Sequence, residues 1–328
     1  MTPPPSDHFN GKTVSPPDAR RGGRRLDLLR WKLTSRPARW PAHVPLAPQP
    51  PPPAPRGPEI VATWIGHSTF LLQTAHGNFL TDPVFSDRAS PFSWAGPRRV
   101  HAPGLAFEAL PPIDAVLLSH DHYDHCDLPT LRRLAAAHDP LFLTPLRHAD
   151  LLAQARARRV VELDWWQSHS LAPARAASAT VMLTPARHWS NRLGTPRNHR
   201  LWGGFSLTLP AAPATAARRL WFAGDTGYDA ELFREIGRRG GAPDLALLPI
   251  GAYEPRWFMA PMHLNPAEAV RAHRDTGTRR SLAMHWGTFQ LTDEGRDDPV
   301  RALAAARAAA GLTDDEFKVL APGASVTV

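Results

Sequence analysis

Short apolar runs separated by turn residues occupy most of the chain from about residue 59 onward. Each run spans three to six residues, and Gly, Pro, Asn, Asp or Ser clusters lie between them, which is typical of strands. The predicted strands are Ile60–Ile65, Thr69–Gln73, Asn78–Thr81, Ala115–Leu118, Leu141–Leu143, Arg159–Leu163, Ala179–Leu183, Gly204–Leu209, Arg219–Phe222, Leu245–Leu248, Arg280–Ala283 and Phe317–Leu320.

Longer segments with helical signals lie between these runs. Asp127 precedes the first as a helix N-cap, and two others open on Pro266 and Pro299. The predicted helices are Leu128–Ala137, Leu146–Ala157, Ala230–Arg238, Pro266–Thr276 and Pro299–Ala310. Strands come first in hairpin-like pairs and are then mixed with helices, and this order recurs in the second half. The pattern predicts an α/β fold with two face-to-face sheets and helices on both outer sides.

Residues 1–57 differ from the rest because they are rich in Pro and Arg. One helix is predicted at Arg24–Thr34, where Leu26, Leu29 and Leu33 share a face. The stretch Pro45–Pro58 includes four consecutive prolines and reads as an extended polyproline connector. We therefore divide the chain into an N-terminal extension, residues 1–57, and a catalytic domain, residues 58–328.

The positive charge of the chain is concentrated in this extension. Of the formal net charge of +8, residues 1–57 contribute +7, from ten Lys or Arg and three Asp, which leaves the other 271 residues at about +1. A nearly neutral body argues against a nucleic-acid partner. The extension could contact an anionic membrane surface or an acidic partner, and the alternative is a solvated arm wrapped on the body.

Cysteine content and hydropathy bear on the compartment. The single cysteine, Cys126, excludes an intramolecular disulfide, and the start of the chain lacks a secretory pattern. No run of ~18 apolar residues is present, as a membrane span would require. We expect a cytoplasmic protein, with peripheral membrane contact through the extension as an option and the oligomeric state open, a dimer included.

The chemistry is concentrated in Ser119–Asp127, directly after a predicted strand. Side chains alternate along an extended segment, so His120 and His122 point the same way and can reach one metal. Asp124 and His125 turn the corner toward the next helix and suit a second metal. The alternative, a His-rich surface loop, does not explain why the string lies between a strand and a helix.

Three further strand ends offer additional metal ligands. His188, Asp225 and His285 each follow an apolar run, and side chains at such ends converge on one edge of a sheet. Any one of them alone would be unremarkable. Together with the first string they predict a two-metal hydrolytic site.

These residues resemble the metallo-β-lactamase superfamily, whose members are four-layer αβ/βα sandwich hydrolases. Within it, the chain is similar to the branch of N-acylphosphatidylethanolamine-hydrolysing phospholipase D and its bacterial relatives. The superfamily motifs are Ser119–His125, Ala186–His188, Phe222–Gly227 and Met284–Gly287. The branch motifs are Trp64–Leu71, Thr81–Pro91, His188–Arg192 and Met262–Ala269, with His8–Lys12 in the extension.

The resemblance implies a division of the ligands between two divalent metal ions. It assigns His120, His122 and His188 to one ion, assigns Asp124, His125 and His285 to the other, and makes Asp225 the bridge. Zinc is the usual metal, and iron or manganese remain open. Asp124 and Asp225 are the catalytic residues of this scheme, in which Asp124 also orients a hydroxide that bridges the two metals.

The resemblance also implies an activity and a substrate. The expected enzyme is a phosphodiesterase of the phospholipase D type that acts on N-acylphosphatidylethanolamine-like lipids, so the partner is a small-molecule or phospholipid substrate. Two alternatives are a lactonase of the ascorbate-phosphate lactonase type and a non-catalytic metal-binding scaffold. A ribonuclease is disfavoured by the nearly neutral body.

Supporting roles fall to residues beside the ligand candidates. Asp82 either accepts a hydrogen bond from a ligand imidazole or caps a turn before Pro83. His67 and His263 are candidates for contact with substrate phosphate or a lid, with buried structural histidines as the alternative. Cys126 is expected to be a small packed residue. The loop Gly251–Leu264 is predicted to be irregular and able to cover the site.

Overall fold

The computed structural model describes residues 8–10, 13–15, 25–171, 179–211 and 216–328. Its strands are β1 Val61–Gly66, β2 Thr69–Thr74, β3 Gly77–Thr81, β4 Ala115–Leu117, β5 Leu141–Pro145, β6 Arg159–Leu163, β7 Ser168–Ser170, β8 Thr180–Thr184, β9 Gly204–Leu209, β10 Arg218–Phe222, β11 Leu245–Pro249, β12 Arg280–Met284, β13 Phe317–Lys318 and β14 Ser325–Thr327. Its helices are α1 Arg25–Thr34, α2 Leu128–Ala137, α3 Ala149–Gln154, α4 Ala230–Gly240, α5 Arg256–Met259, α6 Pro266–Asp275 and α7 Asp298–Ala310.

The strands form two seven-stranded mixed sheets. One has the order β14-β1-β2-β3-β4-β5-β6, and the other has the order β13-β12-β11-β10-β9-β8-β7. In the first sheet β3, β4, β5 and β6 run parallel, and in the second β10, β11, β12 and β13 do. The predicted αβ/βα sandwich is confirmed.

Side-chain alternation along the strands divides the core into layers. In β4, Ala115 and Leu117 belong to the central core between the sheets, whereas Val116 packs in a second cluster with Leu131 and Leu134 of α2. This is the period of two expected of a strand that is buried on both faces. The second cluster covers the outer face of the first sheet, and α4, α6 and α7 contribute to the central core from the other side.

The described parts of the N-terminal extension lie against the body. Phe9 and Val14 are buried in the central core, and the Val14 amide donates to the Asn198 carbonyl at 2.8 Å. Gly11 and Lys12 of the branch-like motif, and Arg24 of the predicted first helix, are outside the described residues. Among the described helices, none combines the length and apolar character needed to cross a bilayer. The division of the chain at residue 57 stays a prediction.

The structure differs from the predicted elements most clearly at β7, β14, α3 and α5. Strands β7 and β14 were not predicted because both are short, polar edge strands that rely on pairing with β8 and β1. Helix α3 begins at Ala149 rather than Leu146, since Arg147 adopts a left-handed φ of 72° that a helix cannot include. The loop predicted at Gly251–Leu264 contains the short helix α5.

Candidate metal centre

All seven predicted ligands lie at one edge of the sandwich. His120, His122, Asp124 and His125 follow β4, while His188, Asp225 and His285 follow β8, β10 and β12. β10 and β12 run parallel, and β8 has the same direction as β10 because β9 is antiparallel to both. The carboxyl ends of these strands therefore bring the side chains to the same edge.

Three histidines form the first donor cluster. His122 Nδ1 lies 2.9 Å from His120 Nε2 and 3.2 Å from His188 Nε2, so three ring nitrogens face one point. His120 and His188 are buried, and His122 is partly exposed. Side-chain alternation predicts that His120 and His122 share one side, and the structure places His188 beside them, where the resemblance assigns it.

A second donor cluster contains Asp124, His125 and His285. Asp124 Oδ2 lies 3.4 Å from His125 Nε2 and 3.4 Å from His285 Nε2. His67 joins this cluster, with its Nε2 at 2.9 Å from the same Asp124 oxygen. The structure places His67, the candidate for substrate or lid contact with a buried structural histidine as the alternative, in a buried position beside Asp124 and His285.

Asp225 lies between the two clusters. Its Oδ2 is 3.1 Å from His285 Nε2 and 3.2 Å from His125 Nε2 on one side. On the other side, the same oxygen is 3.8 Å from His188 Nε2 and 4.0 Å from His120 Nε2. One carboxylate oxygen is thus within reach of donors from both clusters, which is the position a bridging ligand would need.

The donor spacing fits divalent metal ions. Tetrahedral ligands about 2.0–2.1 Å from zinc lie about 3.3 Å apart, close to the separations of the donor atoms in both clusters. Several buried polar atoms at this edge also have no hydrogen-bond partner within the described part of the chain. They are His67 Nδ1, His125 Nε2, His263 Nδ1, His285 Nδ1, His285 Nε2 and Asp225 Oδ1. Uncompensated burial of such atoms is costly, and coordination would satisfy those that face the clusters.

Asp82 supports one ligand candidate in each cluster. His125 Nδ1 donates to Asp82 Oδ2 at 2.6 Å, and the Ser119 amide donates to Asp82 Oδ1 at 2.7 Å. The Ser119 hydroxyl donates to Asp82 Oδ2 and accepts from His120 Nδ1 at 2.8 Å. These bonds fix the tautomers of His120 and His125 so that both Nε2 atoms are free to bind a metal.

The buried carboxylates of the second cluster and of Asp225 favour positive charge beside them. Burial opposes ionisation of Asp225 and Asp124, but the neighbouring imidazoles hold the pKa of both carboxyls well below their ordinary values. Burial likewise opposes protonation of His285, yet Asp225 and Asp124 raise its pKa to about 9. The pKa of His125 is raised for the same reason. Metal ions would replace these protons as the counter-charge, since ligand imidazoles must be neutral.

In the first cluster the pKa values of the histidines shift in the opposite direction. Burial, assisted by the neighbouring histidines, lowers the pKa of His120 and His188 well below the ordinary imidazole value. Burial also lowers the pKa of His122. The three imidazoles are therefore neutral at pH 7, which is the form that coordinates a metal.

Backbone strain coincides with this edge. His67, Asp82 and His285 have left-handed φ angles of 54°, 31° and 60°. Such conformations cost non-glycine residues about 1–3 kcal/mol each and persist where the surroundings fix them. Here the His285 amide donates to the His67 carbonyl at 3.0 Å, and the His67 amide donates to Thr288 Oγ1 at 2.8 Å.

Three residues line the exposed side of the site. His263 Nδ1 lies 3.9 Å from Asp225 Oδ2, and burial lowers the pKa of this imidazole to about 4, so it is neutral at pH 7. Trp189 packs edge-on to His122 with ring centroids 5.0 Å apart. Asp124 retains 14% of its side-chain exposure, against 2% for Asp225, and so is the more accessible carboxylate.

Two residues with structural roles at the site were not predicted. Ser119 links Asp82 to His120, and its only sequence signal is its place before the first histidine. Asp121 accepts from the Asn191 amide at 3.0 Å and from Arg200 at 3.3 Å, which ties the segment after β4 to the segment that follows His188. No spacing rule could identify that contact, because Arg200 is distant in sequence.

Asp127 and Cys126 have roles in the fold. Asp127 stands at the N-cap position of α2, as predicted, but its carboxylate accepts from the Ser86 and Thr130 side chains and not from a helix amide. Pro129 lacks one of the amides that such a cap would use. Cys126 is buried, and burial raises the pKa of its thiol to about 12.

Comparison with known proteins gives a consistent result. The sequence model of the beta-lactamase superfamily domain matches residues 77–286. An uncharacterized protein of Mycobacterium tuberculosis is 42% identical over 293 residues, which cover 86% of this chain and 73% of that protein.

Two further comparisons concern named proteins. N-acyl-phosphatidylethanolamine-hydrolyzing phospholipase D 1 of Caenorhabditis elegans is 39% identical over 238 residues, covering 71% of this chain and 65% of that protein. A solved metallo hydrolase of the archaeon Ignicoccus hospitalis superposes with a TM-score of 0.58 at 23% identity, covering 82% of this chain and 98% of that one. The second similarity supports the fold alone.

Proposed function

The chain belongs to the metallo-β-lactamase superfamily and is a metal-dependent hydrolase of that group, and from this premise we propose that it is a phospholipase D-type phosphodiesterase. Its substrates would be N-acylphosphatidylethanolamine-like lipids. The hydrolytic part of the proposal rests on the position of Asp225 Oδ2, which lies between two clusters of metal-competent donors. The lipid part rests on the branch motifs and on the similarity to the C. elegans phospholipase.

Two divalent ions, with zinc the first choice, are part of the proposal. His120, His122 and His188 would hold one, Asp124, His125 and His285 the other, and Asp225 both. Ions bound there supply Lewis-acid polarisation of a phosphoryl oxygen and activation of water. Imidazole-rich donor sets suit zinc, and the two carboxylates also allow iron or manganese.

The protein side chains have separate tasks in the proposed reaction. Asp124 is accessible enough to orient the attacking water and accept its proton, while His67 holds the carboxylate. Neutral His263 can donate to a phosphate oxygen. Water adds to phosphorus, the bond from phosphorus to the ethanolamine oxygen breaks, and that oxygen takes a proton. The products are an N-acylethanolamine and phosphatidate.

A parallel assay tests the substrate class. The metal-reconstituted wild-type protein is given a bis-aryl phosphodiester, a phospholipid panel that includes N-acylphosphatidylethanolamine, and a lactone panel. We expect turnover of the two phosphodiester classes. Activity confined to lactones would replace this proposal with the lactonase alternative, and a protein inactive on all three would favour the scaffold.

Asp225→Asn tests the shared carboxylate, with Asp244→Asn as its matched control. Asp244 precedes β11 at the opposite end of the same sheet, where it pairs with Arg218 and receives the Arg219 amide. We expect Asp225→Asn to lower kcat at least ~100-fold and metal content below two ions per chain, with a folded far-UV spectrum. Retention of two ions and full activity would remove the bridging role.

A further inference from the structure

An unusual group of apolar side chains is exposed on α1 and α5. Leu26 and Leu33 are 74% and 78% exposed, Leu28 and Leu29 are about half exposed, and Trp257 of α5 is 47% exposed. Leu28 projects from a different side of the helix, so we call Leu26, Leu29, Leu33 and Trp257 the leucine–tryptophan surface. Large apolar side chains grouped at the surface mark an interaction site more often than singly scattered ones do.

The leucines of α1 are exposed because of the way this helix packs on the body. Trp31 packs on Phe258 of α5 with ring centroids 5.2 Å apart, and its indole nitrogen donates to Asp293 at 3.2 Å. Successive residues in a helix are rotated by about 100°, so the side that carries Leu26, Leu29 and Leu33 faces away from Trp31. Helix α1 thus packs on the body through its tryptophan and presents its leucines to the outside.

The leucine–tryptophan surface is continuous with the candidate metal centre. The rings of Trp257 and Phe258 are 5.7 Å apart, and Phe258 forms one apolar cluster with Met259 and Met262. Trp189 packs against that cluster and also against His122, and the Met262 carbonyl accepts from His188 Nδ1 at 3.1 Å. Apolar side chains therefore lead to the first donor cluster from Trp257, whose ring lies under the Arg30 guanidinium of α1.

The charge around this surface selects an anionic partner. Residues 25–57 contain six Lys or Arg and a single acid, Asp27. The Arg30 guanidinium lies 4.8 Å above the Trp257 ring, and Arg36 and Arg39 are exposed nearby in the chain. A second copy of the chain would bring the same positive charge against itself. A bilayer with anionic lipids instead offers an apolar interior beneath a negative surface.

We propose that the leucine–tryptophan surface docks the protein on an anionic phospholipid bilayer. The leucines and Trp257 enter the interfacial region, the arginines contact lipid phosphates, and the apolar cluster leads from there to the metal centre. This rests on the proposed function, since the bilayer is where a phospholipid substrate lies. At ten residues α1 is too short to cross the bilayer, so the contact is peripheral.

Vesicle co-sedimentation of the full chain tests the docking directly. We expect binding to phosphatidylcholine vesicles that contain phosphatidylglycerol, and at least ~tenfold weaker binding of Leu29→Glu/Leu33→Glu. The control is Arg301→Glu on α7, which is exposed and changes the net charge by the same amount. Both variants should hydrolyse a soluble bis-aryl phosphodiester at the wild-type rate.

The possible outcomes separate docking from catalysis. Equal vesicle binding of wild type and the double leucine variant would overturn the docking proposal, as would absence of wild-type binding. A dimer in size-exclusion chromatography that the double variant abolishes, without vesicle binding, would assign the surface to a second copy. Vesicle binding without hydrolysis of any phospholipid would keep the docking surface and overturn the proposed function.

Discussion

His67 shows at the residue scale how a histidine outside the predicted ligand set supports the second donor cluster. It lies in the turn between β1 and β2, where its Nε2 is 2.9 Å from Asp124 Oδ2 and its ring centroid is 4.0 Å from that of His285. Its carbonyl also accepts from the His285 amide. His67 therefore holds two members of the second donor cluster, Asp124 through its side chain and His285 through its backbone carbonyl.

Replacing His67 should weaken metal binding at the second cluster. We expect His67→Leu to reduce affinity there ~10–100-fold, because the Asp124 carboxylate loses its donor, and His67→Gln to retain more of it. Competition with a chromogenic chelator measures both sites, and thermal unfolding reports any loss of fold. His273→Gln is the control, since His273 is buried and its Nδ1 bonds to Ser281 Oγ, away from the cluster. Equal losses in His67→Leu and His273→Gln would contradict the assignment.

At the scale of secondary-structure elements, the capping box of α6 shows how a local sequence signal helps to position the segment with His263. Asn265 Oδ1 accepts from the Glu268 amide at 2.8 Å, and Glu268 Oε2 accepts from the Asn265 amide at 3.0 Å, which is a complete capping box. Glu268 also binds Arg256, which in turn donates to the His263 carbonyl at 2.9 Å. The helix start thus fixes the segment that carries His263.

Asn265→Ala should lower the free energy of unfolding by about 1 kcal/mol, because the Glu268 amide loses its acceptor. Urea unfolding followed by circular dichroism measures this change. Asp297→Ala is the matched control, since Asp297 stands at the N-cap of α7 without a side-chain cap bond, and it should change stability by less than about 0.5 kcal/mol. A similar loss in both variants would mean that the capping box contributes nothing.

At the scale of the whole molecule, buried neutral histidines make folding sensitive to acid. His148 is fully buried, with Nδ1 donating to the Pro145 carbonyl at 3.0 Å. Burial, together with the charge of Arg200, lowers the pKa of His148 from 6.5 to about 4. Between these values the unfolded chain binds a proton that the folded protein excludes. Stability must therefore fall as the pH decreases through this range.

His148→Asn should make the protein less sensitive to acid. The asparagine side-chain amide can replace Nδ1 as donor to the Pro145 carbonyl, and this amide does not titrate. Wild type should lose up to about 3 kcal/mol more stability than the variant between pH 6.5 and 4, and no further difference should develop below pH 4. Urea unfolding at a series of pH values measures both curves. Parallel curves would show that His148 contributes nothing to the acid response.

The sequence by itself determined the elements and most of the candidate site. Apolar runs and helix starts are local signals, so β4, α2 and α6 were predicted close to their observed positions. Spacing after a strand placed His120 and His122 on one side, because side-chain direction in an extended segment is a local property. Strand ends similarly indicated His188, Asp225 and His285.

The tertiary structure alone decided the contacts between segments that are distant in the chain. Only the packing of the two sheets shows that Asp225 Oδ2 lies between both clusters, that Asp82 supports His125 and Ser119, and that His67 holds Asp124. The same holds for α1: the leucine spacing fixed its apolar face, but Trp31 against Phe258 decided that this face points outward. Partners joined across the fold leave no periodic trace, because their spacing is set by the topology.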